Sequence, residues 1–197
     1  MGDESVRLFV GVPVPETWQG RMARLQERLR PNLRSRVTWV RPEIAHLTVR
    51  FLGNVESAHV DAVRAALESV AFEPFTLCAG DPGFFVSRRN LRTFWLGMSC
   101  GRREFGVLGR AVSTALEPLG FALPGGRLTP HVTVGRVRRD EGDDWEALRA
   151  MVHTDDWEPF TVDGFVLWQS DLGQDGPTYT PLVNVEAGKG GQAHGRL

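Results

Sequence analysis

Apolar residues recur along the chain at two spacings, and these spacings predict its secondary structure. Alternation and short apolar runs predict strands at residues 6–14, 37–40, 44–52, 75–79, 83–86, 92–99, 130–137, 160–169 and 178–185. Helical spacing predicts helices at 15–30, 57–70, 105–119 and 143–152, with Ser57 capping the second and Asp143 or Asp144 the fourth. No strand–helix junction carries the glycine pattern of a phosphate-binding loop. We therefore predict an α+β fold with mainly antiparallel sheet.

The chain is predicted to form one domain over residues 1–186, because no linker rich in Pro, Gly and Ser divides it. Residues 187–197 are Gly-rich with little to bury, which predicts a flexible C-terminal tail. The first residues lack the basic segment of a signal peptide. No apolar run approaches the roughly 20 residues of a membrane helix. We expect a cytoplasmic protein that has no membrane partner.

Charge is balanced overall but unevenly distributed. The 197 residues include 23 basic and 24 acidic side chains and are 42% hydrophobic, which excludes disorder as the overall state. Between Arg21 and Arg50 there are eight arginines and two acids, whereas between Asp140 and Asp175 there are eleven acids and one base. The basic stretch suggests an anionic partner. A solvated face is an adequate explanation of the acidic stretch.

Two of the five histidines lie in the same short pattern. Residues 46–49 read HLTV and residues 131–134 read HVTV, a match that composition alone does not explain. Alternation along a strand places the His and Thr of each motif on one face and the apolar residues on the other. One motif in each half of the chain predicts two similar lobes that present matching polar faces to one cleft.

Two imidazoles and two hydroxyls suit a displacement at phosphorus. Imidazole acts as base or acid near neutral pH without tuning. A pair of imidazoles can take a proton from a nucleophile and give one to the leaving group, while threonine hydroxyls donate to phosphoryl oxygens. A strained cyclic phosphate needs little more, so we predict neither a metal nor a cofactor.

Other roles for these residues fit the sequence less well. A single strand histidine is usually structural, but a matched pair is not typical of that role. A zinc site needs three or four ligands, and His59 and His153 lie in predicted helices without ligand spacing. The chain has no G-x-S-x-G nucleophile elbow. Cys78 and Cys100 have no neighbouring histidine or helix start, and two cysteines are too few for a disulfide scaffold.

The motifs and their flanks resemble those of the 2H phosphoesterases. Residues 39–53 (WVRPEIAHLTVRFLG) are similar to the first motif of the bacterial and archaeal RNA 2′,3′-cyclic phosphodiesterases, also called 2′-5′ RNA ligases. Residues 130–136 (PHVTVGR) resemble the second motif, extended to H-x-T-x-x-R. Residues 7–10 (RLFV) and 168–170 (WQS) also fit, so the resemblance covers nearly the whole chain. The acidic stretch matches no part of the pattern.

The resemblance implies a bilobal α+β fold of two pseudo-symmetric, mainly antiparallel sheets with flanking helices and a central cleft. It implies hydrolysis of an RNA-terminal 2′,3′-cyclic phosphate to a 2′-phosphate without metal or cofactor, together with reversible 2′-5′ RNA ligation. By this resemblance His46 is the general acid that protonates O3′, and His131 is the general base that activates water. The expected partner is RNA ending in a cyclic phosphate, and the protein is expected to be a monomer.

The resemblance also assigns residues that bind the phosphate. Thr48 and Thr133 would hold it and Arg136 would add positive charge. On a flat strand Arg136 points away from His131, but Gly135 can supply a bulge that re-aims it. The direction of Arg50 is ambiguous in the same way.

Phe51 and Trp39 are candidates to stack on a terminal base, with core packing as the alternative for each.

The sequence leaves two other functions open. One is a binding module that holds cyclic-phosphate or 2′-phosphate ends without turnover. The other is a 2H enzyme that acts on ADP-ribose cyclic phosphate or an oligoadenylate, which only the pocket outside the motifs would distinguish.

Overall fold

The structure is a computed structural model that describes residues 5–86, 92–123, 125–126, 128–173 and 176–188. Its strands are β1 (Ser5–Pro13), β2 (Arg36–Trp39), β3 (His46–Glu56), β4 (Phe75–Val86), β5 (Arg92–Cys100), β6 (His131–Arg139), β7 (Phe160–Val162), β8 (Gly164–Gly173) and β9 (Gly176–Glu186). Its α-helices are α1 (Glu16–Leu29), α2 (Val60–Glu68), α3 (Arg102–Leu116) and α4 (Trp145–Ala150). Short 3-10 helices lie at Arg30–Asn32, Pro42–Ile44, Ser57–His59 and Glu117–Leu119. None of the described helices is long and apolar enough to cross a membrane.

The strands of the described residues form a continuous antiparallel sheet. The order along it is β7-β4-β5-β6-β3-β1-β8-β9, and β2 pairs with β6 beside this path. The half β3-β1-β8-β9 corresponds strand by strand to the half β6-β5-β4-β7. The antiparallel α+β prediction is confirmed, and the two expected sheets are joined where β3 meets β6.

Each half of the sheet is covered by a helix from the other half of the fold. Trp18 of α1 packs edge-on against Trp157 and Phe160, with ring centroids 5.1 and 4.9 Å apart. The Gln26 side-chain amide donates to the carbonyl oxygens of Val40 and Val134, the latter in β6. In turn, α3 packs against β3 and α2. Separating the halves would expose both helix interfaces, so this exchange of helices stabilises the two lobes as one unit.

The basic and acidic stretches contact each other within the chain. The Asp143 carboxylate accepts the backbone N–H groups of Arg34 and Ser35 at 2.9 and 2.8 Å, and the Arg34 guanidinium lies 3.5 Å from it. Arg21 and Asp156 form an ion pair at 2.6 Å. Part of the arginine excess is therefore neutralised by the chain itself and is not available to a ligand.

Two predicted element ends are wrong. Gly53-Asn54 does not end β3, because Gly53 adopts a φ of +78° and still pairs with Leu8, so the strand continues to Glu56. Ser57 does not cap α2, since it begins a 3-10 turn and α2 starts only at Val60. In both places the sequence signal for a stop or a start marks a local distortion of the chain.

Three further elements differ in extent. Residues 75–86 form one strand with register irregularities, and residues 160–173 form two strands separated at Asp163. The last helix is shorter than predicted, and Asp144 caps it by accepting a hydrogen bond from the Ala147 N–H at 2.9 Å.

Cys78 and Cys100, which the sequence left unpaired, lie opposite each other in β4 and β5 and form a disulfide.

Most of the predicted tail, residues 189–197, lies outside the described residues. Its first two residues are held by the fold: the Ala187 N–H donates to the Asp163 carbonyl at 2.8 Å, and the Gly188 N–H donates to the Phe72 carbonyl at 3.1 Å.

The Asp143 contacts predict an acid-sensitive contribution to stability. Burial acts to raise the pKa of the Asp143 carboxyl, but hydrogen bonds from Ser35 and Arg34 outweigh burial and hold that pKa below its usual value. A carboxyl with a lowered folded-state pKa stabilises the fold above the unfolded pKa of about 3.9 and loses this contribution as the pH falls through the folded pKa. Asp143→Asn should therefore reduce the free energy of unfolding at pH 7 by about 1–3 kcal/mol.

Urea unfolding at pH 7 and pH 3 measures this, and the difference between wild type and variant should shrink at pH 3. Glu68→Gln, a change of an exposed carboxylate on α2, should cost less than about 0.5 kcal/mol at either pH. An Asp143→Asn loss of the same size at both pH values would contradict the charge-dependent role.

Candidate active site

The two motifs meet at the centre of the sheet. Among the described residues, β3 and β6 pair through Leu47 and Val132, antiparallel to each other. Because the strands run in opposite directions through this pair, each motif's His lies beside the Thr of the other motif. Leu47 and Val132 are buried, and the polar side chains occupy the opposite face. The structure thus brings together all four residues that the pattern predicted: His46, Thr48, His131 and Thr133.

Both imidazole rings are oriented in the same way. The Nδ1 atom of His46 lies 2.9 Å from the Ile44 carbonyl oxygen, and Nδ1 of His131 lies 2.8 Å from the Thr129 carbonyl oxygen. A carbonyl oxygen only accepts, so in each ring Nδ1 carries the proton and donates it. Nε2 of each neutral imidazole is then left with its lone pair, ready to take a proton.

Burial disfavours the charged form of both imidazoles. It lowers the pKa of His46 to about 4, opposed by the bond to Ile44 and assisted by the charges of Arg136 and His131. Burial also lowers the pKa of His131, opposed by the bond to Thr129 and assisted by Arg136.

A bulge in β6 brings Arg136 to the same face as the motif. The regular strand β5 pairs Gly97, Trp95 and Thr93 with His131, Thr133 and Arg136. Alternate residues of a regular strand share a face, so their three partners do as well. The register shift lies at Val134, next to Gly135, where the sequence suggested a bulge. A Cβ on Gly135 would lie 2.8 Å from Cγ1 of Val37, so glycine permits the close approach of β2.

The first motif has a matching bulge. Strand β1 pairs Gly11 with Thr48 and Phe9 with Phe51, skipping a residue of β3. Phe51 therefore occupies the place in the first motif that Arg136 occupies in the second, and its side chain is 62% exposed. Arg50 pairs with Val10 instead and donates from Nη2 to the Ala122 carbonyl on the helix-covered side.

Trp39 is not brought to the histidines. Its ring lines a small apolar cavity with Leu29 of α1 and Phe94 of β5, and the Arg30 guanidinium lies 5.5 Å from the ring centroid. Of the two stacking candidates, Phe51 lies on the face of the sheet that carries both histidines, called the cleft face from here on, and Trp39 has the contacts of a core residue.

Aromatic side chains that the sequence analysis missed form a wall beside each histidine. The His46 ring is 4.8 Å from Phe9, 5.4 Å from Tyr179 and 5.6 Å from Trp168. On the other side, the His131 ring is 4.8 Å from Phe85 and 5.9 Å from Trp95. These residues come from β1, β4, β5, β8 and β9, so only strand pairing could reveal them.

A glycine at position 11 allows the Trp168 ring to pack beside His46. A Cβ on Gly11 would lie 2.8 Å from the Leu47 carbonyl oxygen and 3.0 Å from the Trp168 ring. Any larger residue there would push β1 away from β3 or displace the Trp168 ring. The position of His46 against its aromatic neighbours therefore depends on this glycine.

Arginines surround the wall beside His46. Burial raises the pKa of Tyr179, and the charges of Arg136, Arg7 and Arg41 act in the opposite direction. Nη2 of Arg41 donates to the Pro177 carbonyl at 2.7 Å. No carboxylate of the described residues pairs with any of the three arginines. This face of the cleft favours an anionic ligand.

Within the described residues, no three His, Cys, Asp or Glu side chains are grouped as metal ligands. The two histidines considered for zinc lie apart. His59 is 3.5 Å from Glu56, and His153 lines a surface cavity with Trp157 and Arg21.

Two His-x-Thr strands side by side at the centre of an antiparallel sheet, with an arginine on the same face, define a 2H phosphoesterase. The sequence profile of the family described as LigT like Phosphoesterase matches residues 12–95. The RNA 2′,3′-cyclic phosphodiesterase of Archaeoglobus fulgidus is 30% identical over 182 residues, which cover 90% of this chain and 98% of that protein. The chain belongs to the LigT-like phosphoesterase family, and the predicted membership is confirmed.

Other relatives agree. The RNA 2′,3′-cyclic phosphodiesterase of Methanothermobacter thermautotrophicus is 28% identical over 180 residues, covering 90% of this chain and 96% of that protein. The crystal structure of E. coli LigT complexed with 3′-AMP superposes with a TM-score of 0.76 over 94% of this chain and 99% of that one. At 22% identity, this last likeness shows the fold.

The position of Arg136 predicts a measurable effect on both imidazoles. Arg136→Gln removes a positive charge that disfavours the imidazolium forms, so the pKa values of His46 and His131 should both rise. Burial, the larger cause, remains, and both values should stay below 6.5. NMR titration of the imidazole resonances measures this, with Arg64→Gln on α2 as the control. If neither pKa moved, Arg136 would not face the histidines.

Proposed function

We propose that this protein hydrolyses the 2′,3′-cyclic phosphate at an RNA end to a 2′-phosphate, with its own side chains and no metal. The observation that carries the proposal is the pair of imidazoles, each fixed through Nδ1 with Nε2 left free, beside two threonine hydroxyls. The names of the relatives, RNA 2′,3′-cyclic phosphodiesterases, support the substrate class.

The reaction requires one proton to be taken and one to be given. Nε2 of His131 takes a proton from water as its oxygen attacks phosphorus. The bond from phosphorus to O3′ breaks on the opposite side, and Nε2–H of His46 gives its proton to O3′. The product carries a 2′-phosphate and a free 3′-hydroxyl. Thr48, Thr133 and Arg136 stabilise the charge that develops on the phosphoryl oxygens.

Burial sets the protonation state before substrate binds. With its pKa near 4, His46 is neutral at pH 7 and cannot donate from Nε2. A bound phosphate anion favours the imidazolium form and opposes the desolvation that disfavours it. The acid therefore acquires its proton together with the substrate. This couples the active protonation state to occupancy of the cleft.

The distribution of charge supports His46 as the acid. In an in-line displacement the leaving O3′ lies opposite the attacking water, and O3′ belongs to the ribose of the RNA chain. The chain therefore leaves the reaction centre on the side of the acid. The wall beside His46 holds Arg7 and Arg41, whereas Phe85 and Trp95 lie beside His131.

Phe51, on the cleft face of the same strand as His46, is the candidate to stack on the terminal base.

Ligation would use the same two histidines, with the 5′-hydroxyl of a second RNA in place of water. Attack on the cyclic phosphate with loss of O3′ would then leave a 2′-5′ linkage.

Product analysis tests the proposed reaction. RNA ending in a 2′,3′-cyclic phosphate, adenosine 2′,3′-cyclic phosphate and ADP-ribose cyclic phosphate are incubated with the protein, with and without EDTA, and the phosphomonoesters are separated. We expect a 2′-phosphate from the RNA and no effect of EDTA. Binding without turnover would instead support a binding module, and preference for ADP-ribose cyclic phosphate would support the other 2H activity. Loss of activity in EDTA with recovery on adding zinc or manganese would overturn the metal-free reaction.

Substitution of the histidines tests the two roles. His46→Ala and His131→Ala should each reduce turnover by about 10²–10⁴-fold, and the double variant should be little worse than either. A substrate with sulfur in place of O3′ has a leaving group that needs no proton, so it should restore much of the rate of His46→Ala and little of that of His131→Ala. His59→Ala, an exposed histidine on another surface, is the control.

If the sulfur substrate restored the rate of His131→Ala instead, the two roles would be exchanged, with His131 as the acid and His46 as the base. More than about a tenth of the wild-type rate in either single variant would rule out acid–base catalysis by this pair, because such a residue contributes at least about a hundredfold.

A further inference from the structure

The wall beside His46 carries more positive charge than one cyclic phosphate needs. Thr48, Thr133 and Arg136 already provide donors at the reaction centre. We propose that Arg7 and Arg41 form a subsite for the backbone phosphate that precedes the terminal nucleotide, so that the protein selects RNA ends over mononucleotides. This inference rests on the proposed function and names how its substrate is recognised.

Arg7 is placed on the cleft face by the pairing of β1. Phe9 pairs with Phe51 and Gly11 with Thr48, both residues of the cleft face. Arg7 lies two residues before Phe9 in the same strand and so shares this face. The Phe9 ring is 4.8 Å from both the His46 ring and the Tyr179 ring, which sets Arg7 at the outer side of this aromatic group.

Arg41 reaches the same wall from the loop between β2 and β3. Its Nη2 atom donates to the Pro177 carbonyl at 2.7 Å, which ties the side chain to β9 two residues before Tyr179. The Tyr179 ring is 5.4 Å from the His46 ring. Both guanidinium groups also act electrostatically on the Tyr179 hydroxyl. Strand β1 and the loop before β3 therefore bring positive charge to one place next to, but distinct from, the histidine pair.

The surroundings of these arginines differ from those of the structural arginines. Arg21 and Arg34 are paired with Asp156 and Asp143. Arg7 and Arg41 are exposed, and no carboxylate of the described residues pairs with either. Like charges repel, so an Arg7 that acts on Arg136 without a neighbouring acid is unfavourable until an anion binds.

The ligand chemistry follows from the direction of the RNA. In the proposed reaction the ribose that carries O3′ lies on the His46 side, and its 5′ oxygen continues into the preceding phosphodiester. That phosphodiester is the anion nearest to the reacting phosphate along the chain. A guanidinium binds phosphate oxygens through several N–H donors, which suits this contact.

A comparison of charged and uncharged substrates, made with the wild-type protein and a variant, tests the subsite. The substrates are two dinucleotides that end in a 2′,3′-cyclic phosphate, one with a normal phosphodiester and one with an uncharged methylphosphonate between its nucleosides. The wild-type protein should prefer the charged linkage by about tenfold in kcat/KM, the size expected for a charge-assisted contact. In the Arg7→Gln/Arg41→Gln variant this ratio should fall to about one, because the phosphodiester charge no longer has the two arginines as partners.

Two controls separate the subsite from general effects. The Arg24→Gln/Arg28→Gln variant removes two exposed arginines of α1 and should keep the wild-type ratio. Arg7→Lys/Arg41→Lys keeps the charges and should keep part of the preference. Since each ratio compares two substrates of one protein, a partly unfolded preparation changes neither.

A wild-type ratio near one, or an undiminished ratio in the double Gln variant, would overturn the subsite while leaving the proposed reaction intact. Absence of turnover with both dinucleotides and with RNA would instead overturn the proposed function itself.

Discussion

The pairing of Leu47 with Val132 is the contact on which the rest of the site depends. These two apolar residues hold the central strands of the sheet side by side, and both are buried beneath the cleft. Their neighbours in each motif face the other way, so burial of two apolar side chains fixes the direction of four polar ones. A slip of one residue in either strand would turn that motif's His and Thr into the core. The hydrophobic effect on one face therefore specifies the chemistry on the other.

The same burial creates an electrostatic problem at the histidines. Desolvation disfavours the imidazolium form in both rings, and the bonds from Nδ1 to the Ile44 and Thr129 carbonyls only partly offset it. An anion in the cleft supplies a negative charge beside the rings, and this charge favours the imidazolium form of an adjacent ring. A site built this way is unsuited to releasing a proton into water. In the proposed reaction, the acid is therefore formed by the ligand on which it acts.

The strand positions and the pair of His-x-Thr motifs could be predicted from sequence, because alternation is local and the motif occurs twice. What lay beyond prediction depends on pairing between distant strands. The bulge next to Gly135 was anticipated from the glycine, but its mirror in β3, which turns Phe51 toward the cleft and Arg50 away, was not. The strand continues through Gly53-Asn54 because Leu8 of β1 pairs there. Likewise, Phe85 and Tyr179 join the site only through β4 and β9.

The repeated motif is symmetric, but its surroundings are not, and that difference gives the cleft a direction. The place taken by Phe51 in the first motif is taken by Arg136 in the second. Arg7 and Arg41 approach the wall of His46, whereas the wall of His131 is formed by Phe85 and Trp95. Two equivalent imidazoles could serve as acid or base in either order. In the proposed function, an RNA chain that extends toward Arg7 and Arg41 removes this equivalence, because among the described residues these two charges act on the wall beside His46. In the proposed reaction, the unequal walls therefore distinguish two histidines that share the same local sequence.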